Sequence, residues 1–326
     1  MNADPAAHPF LTQPWCVAHP LTPHDQAEMT QVRAMAEPSK GRMRDVAARP
    51  VFDTLIQQTA KPGGVTWRLD DVGDVSGWWC EPAGAPTEVA ILHLHGGWFN
   101  WGSAEAFRHL VGHIAQSAGA KAFVPNYRLA PEHPFPAGAD DALACFDGLL
   151  ALGYRTIAVT GDSAGGNLAL EVLTTASARS ATQSGRLVGA ALLSPVTDLT
   201  LSGASWTSRA EADPFFVREQ AKALVSAYLA GHDAADPLAS PLFGALSGLP
   251  PVRVHVGDDE VLRDDSLSFV RQAIAAEVDA RVDVWTGMPH GFVGSVGKLE
   301  AADAALKILG AFLSQRLATS PASGGA

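Results

Sequence analysis

Residues 156–167 read TIAVTGDSAGGN, and they are the most informative part of the sequence for the fold. Its first five residues are apolar or β-branched, as in a buried strand, and they lead directly into the motif Gly-x-Ser-x-Gly and then into a helical pattern. Glycines on both sides of Ser163 permit a sharp strand-to-helix turn that exposes the serine hydroxyl at the end of a sheet. In isolation, this motif could also be an ordinary Gly/Ser loop between two elements. Other motifs in the sequence are therefore needed to distinguish a catalytic turn from such a loop.

From about residue 65 onward, short β-branched runs alternate with longer amphipathic runs. This alternation is typical of strand–helix–strand units that build a largely parallel sheet. We predict eight strands, at Val65–Asp71, Ser76–Glu81, Val89–Leu94, Ala120–Asn126, Thr156–Thr160, Val188–Leu193, Val252–Val256 and Arg281–Trp285. Helical patterns lie at about 104–118, 138–152, 166–180, 264–277 and 302–317. The turn-rich link between the first two strands predicts an antiparallel hairpin at one edge.

Two segments do not follow this alternation. Residues 1–60 are rich in Pro, Met and His, and residues 199–235 insert an aromatic-containing helical run between two predicted strands. We expect these two segments to form a helical cap on a catalytic domain that spans residues 61–318. The tail, residues 319–326, is a Ser/Gly/Pro segment that we expect to be flexible because it can bury little apolar surface.

Composition limits the class of protein. The chain has 23 basic and 34 acidic side chains, and the net charge of −11 argues against a nucleic-acid-binding protein. Hydrophobic residues make up 47% of the 326 residues, which is typical of a packed enzyme-sized globule. Three cysteines are too few for a disulfide framework, and neither a signal peptide nor an apolar run long enough to span a membrane occurs. We therefore expect a soluble cytoplasmic protein without a membrane partner.

A glycine-rich turn, His95-Gly96-Gly97-Trp98, follows the third predicted strand. Backbone N–H groups from this turn and from Ala164 could converge on one oxygen atom and stabilise a developing negative charge. A simple glycine turn after a strand is the structural alternative. The pair His93-x-His95 could instead supply two metal ligands, but no third ligand lies at a suitable spacing, so we predict no metal and no cofactor.

Four motifs occur along the chain in a fixed order. They are His95–Gly97 (HGG), Tyr127–Ala137 (YRLAPEHPFPA), Gly161–Gly166 (GDSAGG) and Met288–Phe292 (MPHGF). Together they resemble the bacterial hormone-sensitive-lipase-like family of carboxylesterases, over about residues 60–315. The resemblance implies an α/β-hydrolase fold with a helical cap and a Ser-acid-His triad in that chain order. It also implies an oxyanion hole formed by the backbone N–H groups of Gly97, Trp98 and Ala164.

Two neighbouring residues are candidates for the acid of the triad. The family pattern resembles Asp-Pro-Leu-Arg-Asp with its first Asp catalytic, and matching its end to Leu262–Asp264 places Glu260 at the catalytic position. Glutamate can orient an imidazole as aspartate does. Asp259 is the second candidate. We expect Asp264 and Asp265 to cap the helix that follows.

The residues and the resemblance together predict a serine carboxylesterase that acts on a small-molecule ester. Ser163 would attack the ester carbonyl, His290 would transfer the proton, and Glu260 would orient His290. The family usually has glycine at the position of Trp98. The indole at this position, with the aromatic residues of the insertion, predicts an apolar pocket for short- to medium-chain esters.

Two other functions stay open as alternatives. Kynurenine formamidases resemble the chain in a His-Gly-Gly-x-Trp loop, although Trp98 comes one position too early for that pattern. Non-catalytic hormone receptors with the same fold bind a ligand without turnover, but their triad is broken, whereas this chain keeps all three residue types in order. An apolar sheet edge near the last predicted strand and helix is compatible with a homodimer.

Overall fold

The computed structural model describes residues 12–179 and 186–318. In this part of the chain nine strands form one sheet: β1 (Cys16–His19), β2 (Val65–Val72), β3 (Val75–Pro82), β4 (Val89–Leu94), β5 (Lys121–Pro125), β6 (Thr156–Asp162), β7 (Arg186–Leu193), β8 (Val252–Gly257) and β9 (Ala280–Trp285). The α-helices are α1 (Pro23–Ala36), α2 (Arg49–Ile56), α3 (Ala104–Ala118), α4 (Ala137–Ala151), α5 (Ala164–Ala178), α6 (Ser205–Ser208), α7 (Arg218–Leu229), α8 (Arg263–Ala275) and α9 (Glu300–Ala318). Short 3-10 helices lie at Glu37–Ser39, Val46–Ala48, Pro241–Phe243 and Phe292–Gly294.

The sheet has the order β1-β9-β8-β7-β6-β4-β5-β3-β2. The antiparallel hairpin β2–β3 lies at one edge, β3 is also antiparallel to β5, and all other neighbouring strands are parallel. This topology confirms the predicted α/β-hydrolase fold, and each of the eight predicted strands is present. The predicted tail, residues 319–326, lies outside the described residues.

The prediction of eight strands was one too few, because β1 adds a ninth at the other edge of the sheet. Its four residues pair in parallel with β9. They are too few to show a strand periodicity, and the strand depends on contacts that are distant in sequence. The ring of His19 stacks on Trp285 with the centroids 3.9 Å apart, and His19 Nε2 lies 2.7 Å from Asp283 Oδ1. The edge of β9 is therefore paired within the chain, and the homodimer expected from an apolar edge in this region stays a prediction.

The carboxyl ends of the parallel strands meet at one edge of the sheet. The chain passes from β4 to β5 on one side and then returns to β6 on the other side of β4. Ligands of open α/β sheets bind outside the carboxyl ends at such a reversal of strand order. The loops after β4, β6, β7, β8 and β9 all open at this edge. Among the described residues, no helix combines the length and apolarity needed to cross a bilayer.

The N-terminal cap segment expected at residues 1–60 is wrong in part, because Cys16–His19 forms strand β1 of the sheet. Residues 20–60 contact residues 199–235, and we refer to these two segments as the cap. Backbone and side-chain hydrogen bonds join them, from Gly41 N to Phe215 O at 3.0 Å and from Gln220 Nε2 to Met43 O at 2.6 Å. The cap therefore consists of two distant parts of the sequence that hold each other in place.

The side chains of Asp264 and Asp265 do not cap α8, as we had expected, but bind other backbone groups. Both residues lie in the first turn of this helix and are buried. Asp264 Oδ2 accepts a hydrogen bond from Ser205 N at 3.0 Å, and Asp265 Oδ2 accepts one from Thr197 N at 2.8 Å. The two side chains thus bind backbone groups between β7 and α6, because buried N–H groups there need acceptors.

Asp25 links the N-terminal part of the cap to the catalytic core. Its side chain is 1% exposed, and its two carboxylate oxygens accept hydrogen bonds from Glu300 N at 2.8 Å and Ala301 N at 2.9 Å. These N–H groups belong to the first turn of α9, where they have no partner within the helix. A carboxylate at this position also interacts favourably with the helix dipole.

We expect Asp25→Ala to lower the free energy of unfolding by about 1–3 kcal/mol, because it leaves two N–H groups of α9, one of them buried, without an acceptor. Urea unfolding followed by circular dichroism measures this change. Gln26→Ala, at an exposed position of the same helix, is the matched control and should change stability by less than about 0.5 kcal/mol. Equal effects of the two substitutions would contradict a capping role for Asp25.

Candidate active site

Ser163 occupies a strained turn between β6 and α5. Its backbone angles are φ 54° and ψ −121°, a conformation that residues other than glycine seldom adopt and that costs about 1–3 kcal/mol. Hydrogen bonds hold the turn, since Ser163 N donates to Leu193 O at 2.8 Å and Ser163 O accepts from Val196 N and Gly166 N, both at 3.0 Å. This is the strand-to-helix turn that the Gly-x-Ser-x-Gly motif predicts.

The two motif glycines permit a close approach of α5 to the sheet. A Cβ atom at Gly165 would lie 1.9 Å from Leu94 O, and one at Gly161 would lie 2.2 Å from Gly165 O. Both separations are far below van der Waals contact, so no larger residue fits without moving the backbone. The close packing explains why the turn carries glycine on each side of Ser163.

Glu260 and His290 are in direct contact. His290 Nδ1 lies 2.6 Å from Glu260 Oε2, which is within the range of a strong, charge-assisted hydrogen bond. Glu260 is fully buried, and its other oxygen, Oε1, accepts hydrogen bonds from Ser194 Oγ at 2.7 Å and Gly257 N at 3.0 Å. Three donors thus surround the carboxylate and hold it in one orientation.

Asp259, the second candidate for the acid, binds a different partner. Its Oδ2 atom accepts a hydrogen bond from Arg33 Nη2 at 2.7 Å, and the same nitrogen donates to Gly287 O at 3.1 Å. Burial raises the pKa of Asp259, an effect that the Arg33 charge opposes. Of the two neighbouring carboxylates, only Glu260 has a hydrogen bond to His290 in the described structure.

The pKa of His290 is raised above the ordinary value of 6.5. Burial alone would lower this pKa, because it disfavours the charged imidazolium. The charge and the hydrogen bond of Glu260 outweigh the burial, and the charges of Asp213 and Asp162 act in the same direction. The site therefore stabilises the protonated form of His290, which is the form a general base adopts after it has taken up a proton.

Within the described residues, no hydrogen bond joins the Ser163 hydroxyl to His290. The two residues are connected through the loop after β7, since Ser163 N bonds to Leu193 O and the next residue, Ser194, bonds to Glu260. Catalytic hydrogen bonds are often long in the absence of substrate and shorten in the complex. The geometry brings acid and histidine together and places the serine on an adjacent loop.

His95 orients the first peptide group of the glycine-rich turn after β4. Burial lowers the pKa of His95 to about 4, so its imidazole is neutral near pH 7. Its Nδ1 atom lies 2.9 Å from Gly96 O, where it can donate a hydrogen bond. Because N–H and C=O point in opposite directions across a trans peptide, this bond also fixes the direction of Gly97 N–H.

The next peptide group is oriented in the same way. Gly97 O accepts hydrogen bonds from Asn100 N at 3.0 Å and Trp101 N at 2.9 Å, which fixes the direction of Trp98 N–H. In residues 12–179 and 186–318, the N–H groups of Gly97, Trp98 and Ala164 donate no hydrogen bond to another residue. Ala164 is the first residue of α5, where a free N–H is expected. These three predicted donors are therefore available to an oxygen atom.

His93 and His95 bind different partners and do not share a site. His93 Nδ1 lies 2.9 Å from Thr160 Oγ1, and its Nε2 atom lies 3.3 Å from Asp162 Oδ1. Asp162 Oδ1 also accepts a hydrogen bond from Gly96 N at 3.0 Å. The described part of the chain contains no cluster of three or more His, Cys, Asp or Glu side chains suited to a metal ion.

A chain of aromatic contacts leads from His290 into the cap. Phe216 contacts His290 edge-on with the ring centroids 5.1 Å apart, and Trp98 contacts Phe216 with the centroids 5.6 Å apart. Trp206 packs against Trp98 at 6.3 Å. All three aromatic side chains are buried, so they form an apolar wall that joins the cap to the turn after β4.

Two polar residues of the site were not among those predicted from the sequence. Asp213 is buried in the cap, and it accepts hydrogen bonds from Val261 N at 2.9 Å and Phe216 N at 2.9 Å. It thereby holds the residue after Glu260 and the ring that contacts His290. The other is Ser194, whose position directly after a predicted strand beside the Ser163 strand was a usable signal. Asp213 lies in an irregular segment where the sequence offers no such signal.

The chain matches a known family and its members. The model of the α/β-hydrolase fold family matches residues 91–294. An acetyl-hydrolase from Streptomyces hygroscopicus is 36% identical over 246 residues, which cover 74% of this chain and 80% of that protein. An esterase from Acinetobacter venetianus is 33% identical over 258 residues, covering 78% and 84% of the two chains. The similarity to both relatives thus extends over most of each protein.

A solved structure supports the same relationship. The crystal structure of an esterase from the bacterial hormone-sensitive lipase family superimposes with a TM-score of 0.83 at 32% sequence identity. The superposition covers 92% of this chain and 100% of that one. The likeness therefore includes both the sheet and most of the cap.

We expect Glu260→Gln to lower the pKa of His290 from above 6.5 in the wild type to a lower value, because the substitution removes the charge and leaves the burial. Asp259→Asn should change this pKa little, since Asp259 is paired with Arg33. NMR titration of the histidine ring resonances, assigned with His290→Gln, measures both effects. A larger change in Asp259→Asn than in Glu260→Gln would contradict the observed pairing.

Proposed function

Because the chain belongs to the α/β-hydrolase fold family, among the bacterial hormone-sensitive-lipase-like esterases, we propose that this ester hydrolase works through an acyl-enzyme on Ser163. The observation that carries the proposal is the 2.6 Å contact between His290 and a fully buried Glu260, next to the strained turn at Ser163. A buried carboxylate paired with a histidine of raised pKa is typical of a general base.

The proposed reaction begins with attack of Ser163 Oγ on the ester carbonyl carbon. His290 Nε2 takes the hydroxyl proton, and Glu260 keeps the Nδ1–H tautomer and stabilises the imidazolium. The tetrahedral intermediate then collapses, the C–O bond to the alcohol breaks, and the alcohol leaves with the proton from His290. Water attacks the acyl-enzyme in the same way and releases the carboxylic acid and free Ser163.

The oxygen of the tetrahedral intermediate would accept hydrogen bonds from Gly97 N, Trp98 N and Ala164 N. These N–H groups are free, and the first two are held in direction by the carbonyl contacts of their own peptide groups. Ala164 adds the favourable N-terminal field of α5. These steps need no cofactor, and the cytoplasmic location expected from the sequence stays a prediction.

We also propose a preference for short acyl or alcohol groups. Trp98 is 1% exposed and stands where the family usually has glycine, and it fills space beside Phe216, whose ring contacts His290. The relative from Streptomyces hygroscopicus is named an acetyl-hydrolase, which agrees with a small acyl group. Longer chains would need room that the indole occupies.

Hydrolysis of p-nitrophenyl acetate tests the proposed function. We expect Ser163→Ala to lower kcat on the order of 10⁶-fold, as for deletion of a triad serine in other enzymes. Ser226→Ala, at an exposed position of α7, is the control and should keep wild-type activity. Wild-type protein that binds the ester without turnover would favour the receptor alternative, and faster hydrolysis of N-formylkynurenine than of simple esters would favour the formamidase.

The two acidic neighbours should differ strongly in their effect on activity. Glu260→Gln leaves His290 without its orienting acceptor, and we expect a loss on the order of 10⁴ in kcat. Asp259→Asn should lower kcat about tenfold or less, because the amide oxygen can still accept the Arg33 hydrogen bond and His290 keeps its contact with Glu260. Both are measured on p-nitrophenyl acetate with folding checked by circular dichroism. The reverse ranking would transfer the role of the acid to Asp259.

Enlarging the pocket at Trp98 should change chain-length preference. The backbone φ of 53° at this position suits glycine, so Trp98→Gly removes the ring without backbone strain. We expect the ratio of kcat/KM for p-nitrophenyl octanoate over acetate to rise by about tenfold or more. Trp101→Phe is the control, because Trp101 packs against Phe52 and should leave this ratio unchanged. An unchanged ratio in Trp98→Gly would contradict the pocket assignment.

A further inference from the structure

The side chain of Asn100 connects the turn after β4 to the cap. It is 2% exposed, and its Nδ2 atom lies 2.5 Å from Trp98 O and 3.1 Å from Leu224 O of α7. We propose that Asn100 is a positioning residue for the oxyanion hole, which it holds in shape by tying Trp98 to the cap. This inference rests on the proposed function, since it assigns Trp98 N–H as a donor to the oxyanion.

The turn needs an external anchor because its backbone is strained. Trp98 and Phe99 have φ values of 53° and 61°, so two successive residues other than glycine adopt the left-handed conformation. Such residues persist only where surrounding contacts determine them. The bond from Asn100 Nδ2 to Trp98 O fixes the peptide group between these two residues. Without it, the peptide after Trp98 could rotate toward a relaxed conformation, and only the bonds to Gly97 O would then hold the direction of Trp98 N–H.

Other contacts hold the remaining carbonyl groups of the turn, and Asn100 takes part in these too. Arg49 Nε donates to Asn100 O at 2.8 Å, and Ala130 N donates to Phe99 O at 2.9 Å. The Phe99 ring stacks on Tyr228 of α7 with the centroids 3.8 Å apart. The turn is therefore held by both parts of the cap, through Arg49 from the N-terminal part and through α7 from the insertion.

The amide is the side chain that suits these two acceptors. An NH₂ group has two hydrogens and can donate to Trp98 O and Leu224 O at the same time. A hydroxyl at Asn100 could donate to one of them only, and an alkyl side chain to neither. We therefore expect the function of the turn to decrease in the order Asn, Ser, Ala at this position.

Steady-state kinetics and a transition-state analogue test the inference together. For Asn100→Ala we expect kcat on p-nitrophenyl acetate to fall about 10- to 100-fold with KM changed less than about threefold, less than for the complete loss of a donor. The affinity for 1,1,1-trifluoro-2-butanone, which forms a hemiketal oxyanion on the serine, should fall by the same factor as kcat/KM. Asn100→Ser should lie between wild type and Asn100→Ala.

Gln220→Leu is the matched control. Gln220 is also a buried amide of the cap, but its hydrogen bond goes to Met43 O and not to the turn. It should lower thermal stability while kcat and the affinity for the ketone stay at the wild-type level. If Asn100→Ala does not fold, kcat and the ketone affinity are measured on Asn100→Ser instead.

Two results would overturn the inference. One is wild-type kcat and ketone affinity in the Asn100 variants, and the other is a loss of kcat without a parallel loss of ketone affinity. In either case the wild-type enzyme still hydrolyses p-nitrophenyl acetate and still depends on Ser163. Failure of the proposed function itself would instead appear as a wild-type protein that neither hydrolyses the ester nor binds the ketone.

Discussion

The hydrogen bond between His290 and Glu260 depends on a carboxylate that has no contact with solvent. Burying an ionised carboxylate is costly unless donors replace the lost water. Here three donors replace the water: Ser194 Oγ, Gly257 N and His290 Nδ1. They lie at the ends of, or in the loops after, the neighbouring parallel strands β7, β8 and β9. The pair can form only because the sheet brings the carboxyl ends of these strands to one edge. The strained turn at Ser163 follows the next strand, β6.

The cap contributes to the chemistry of the site as well as covering it. Asp213 binds the backbone next to Glu260 and sets the ring of Phe216 against His290. Arg33 binds Asp259 and Gly287, and so connects the loop of the acid to the loop of the histidine. The acid and the base of the proposed triad are therefore positioned partly by residues that lie far from the sheet. A cap that formed only a lid would not need these polar contacts.

Local patterns predicted eight of the nine strands and the strained turn at Ser163, and the resemblance to the carboxylesterase family implied the order of the proposed triad. Alternating runs located the eight predicted strands, and the match at Leu262–Asp264 selected Glu260, which the structure places against His290. The short strand β1 was missed because four residues show no periodicity, and its pairing with β9 depends on distant contacts such as His19 with Trp285. Asp213 was missed because it lies in an irregular segment and because the contact that brings it to the site, with Val261 N, is remote in sequence.

Covalent trapping of the nucleophile tests the central claim most directly, because it requires Ser163 to be activated by His290 and the oxyanion donors. The wild-type protein is treated with a fluorophosphonate ester, and the intact mass and the modified peptide are determined by mass spectrometry. We expect one phosphonyl group per chain, located on Ser163, with much slower labelling in Glu260→Gln. Modification of a different serine, or equal labelling rates in the wild type and Glu260→Gln, would contradict it.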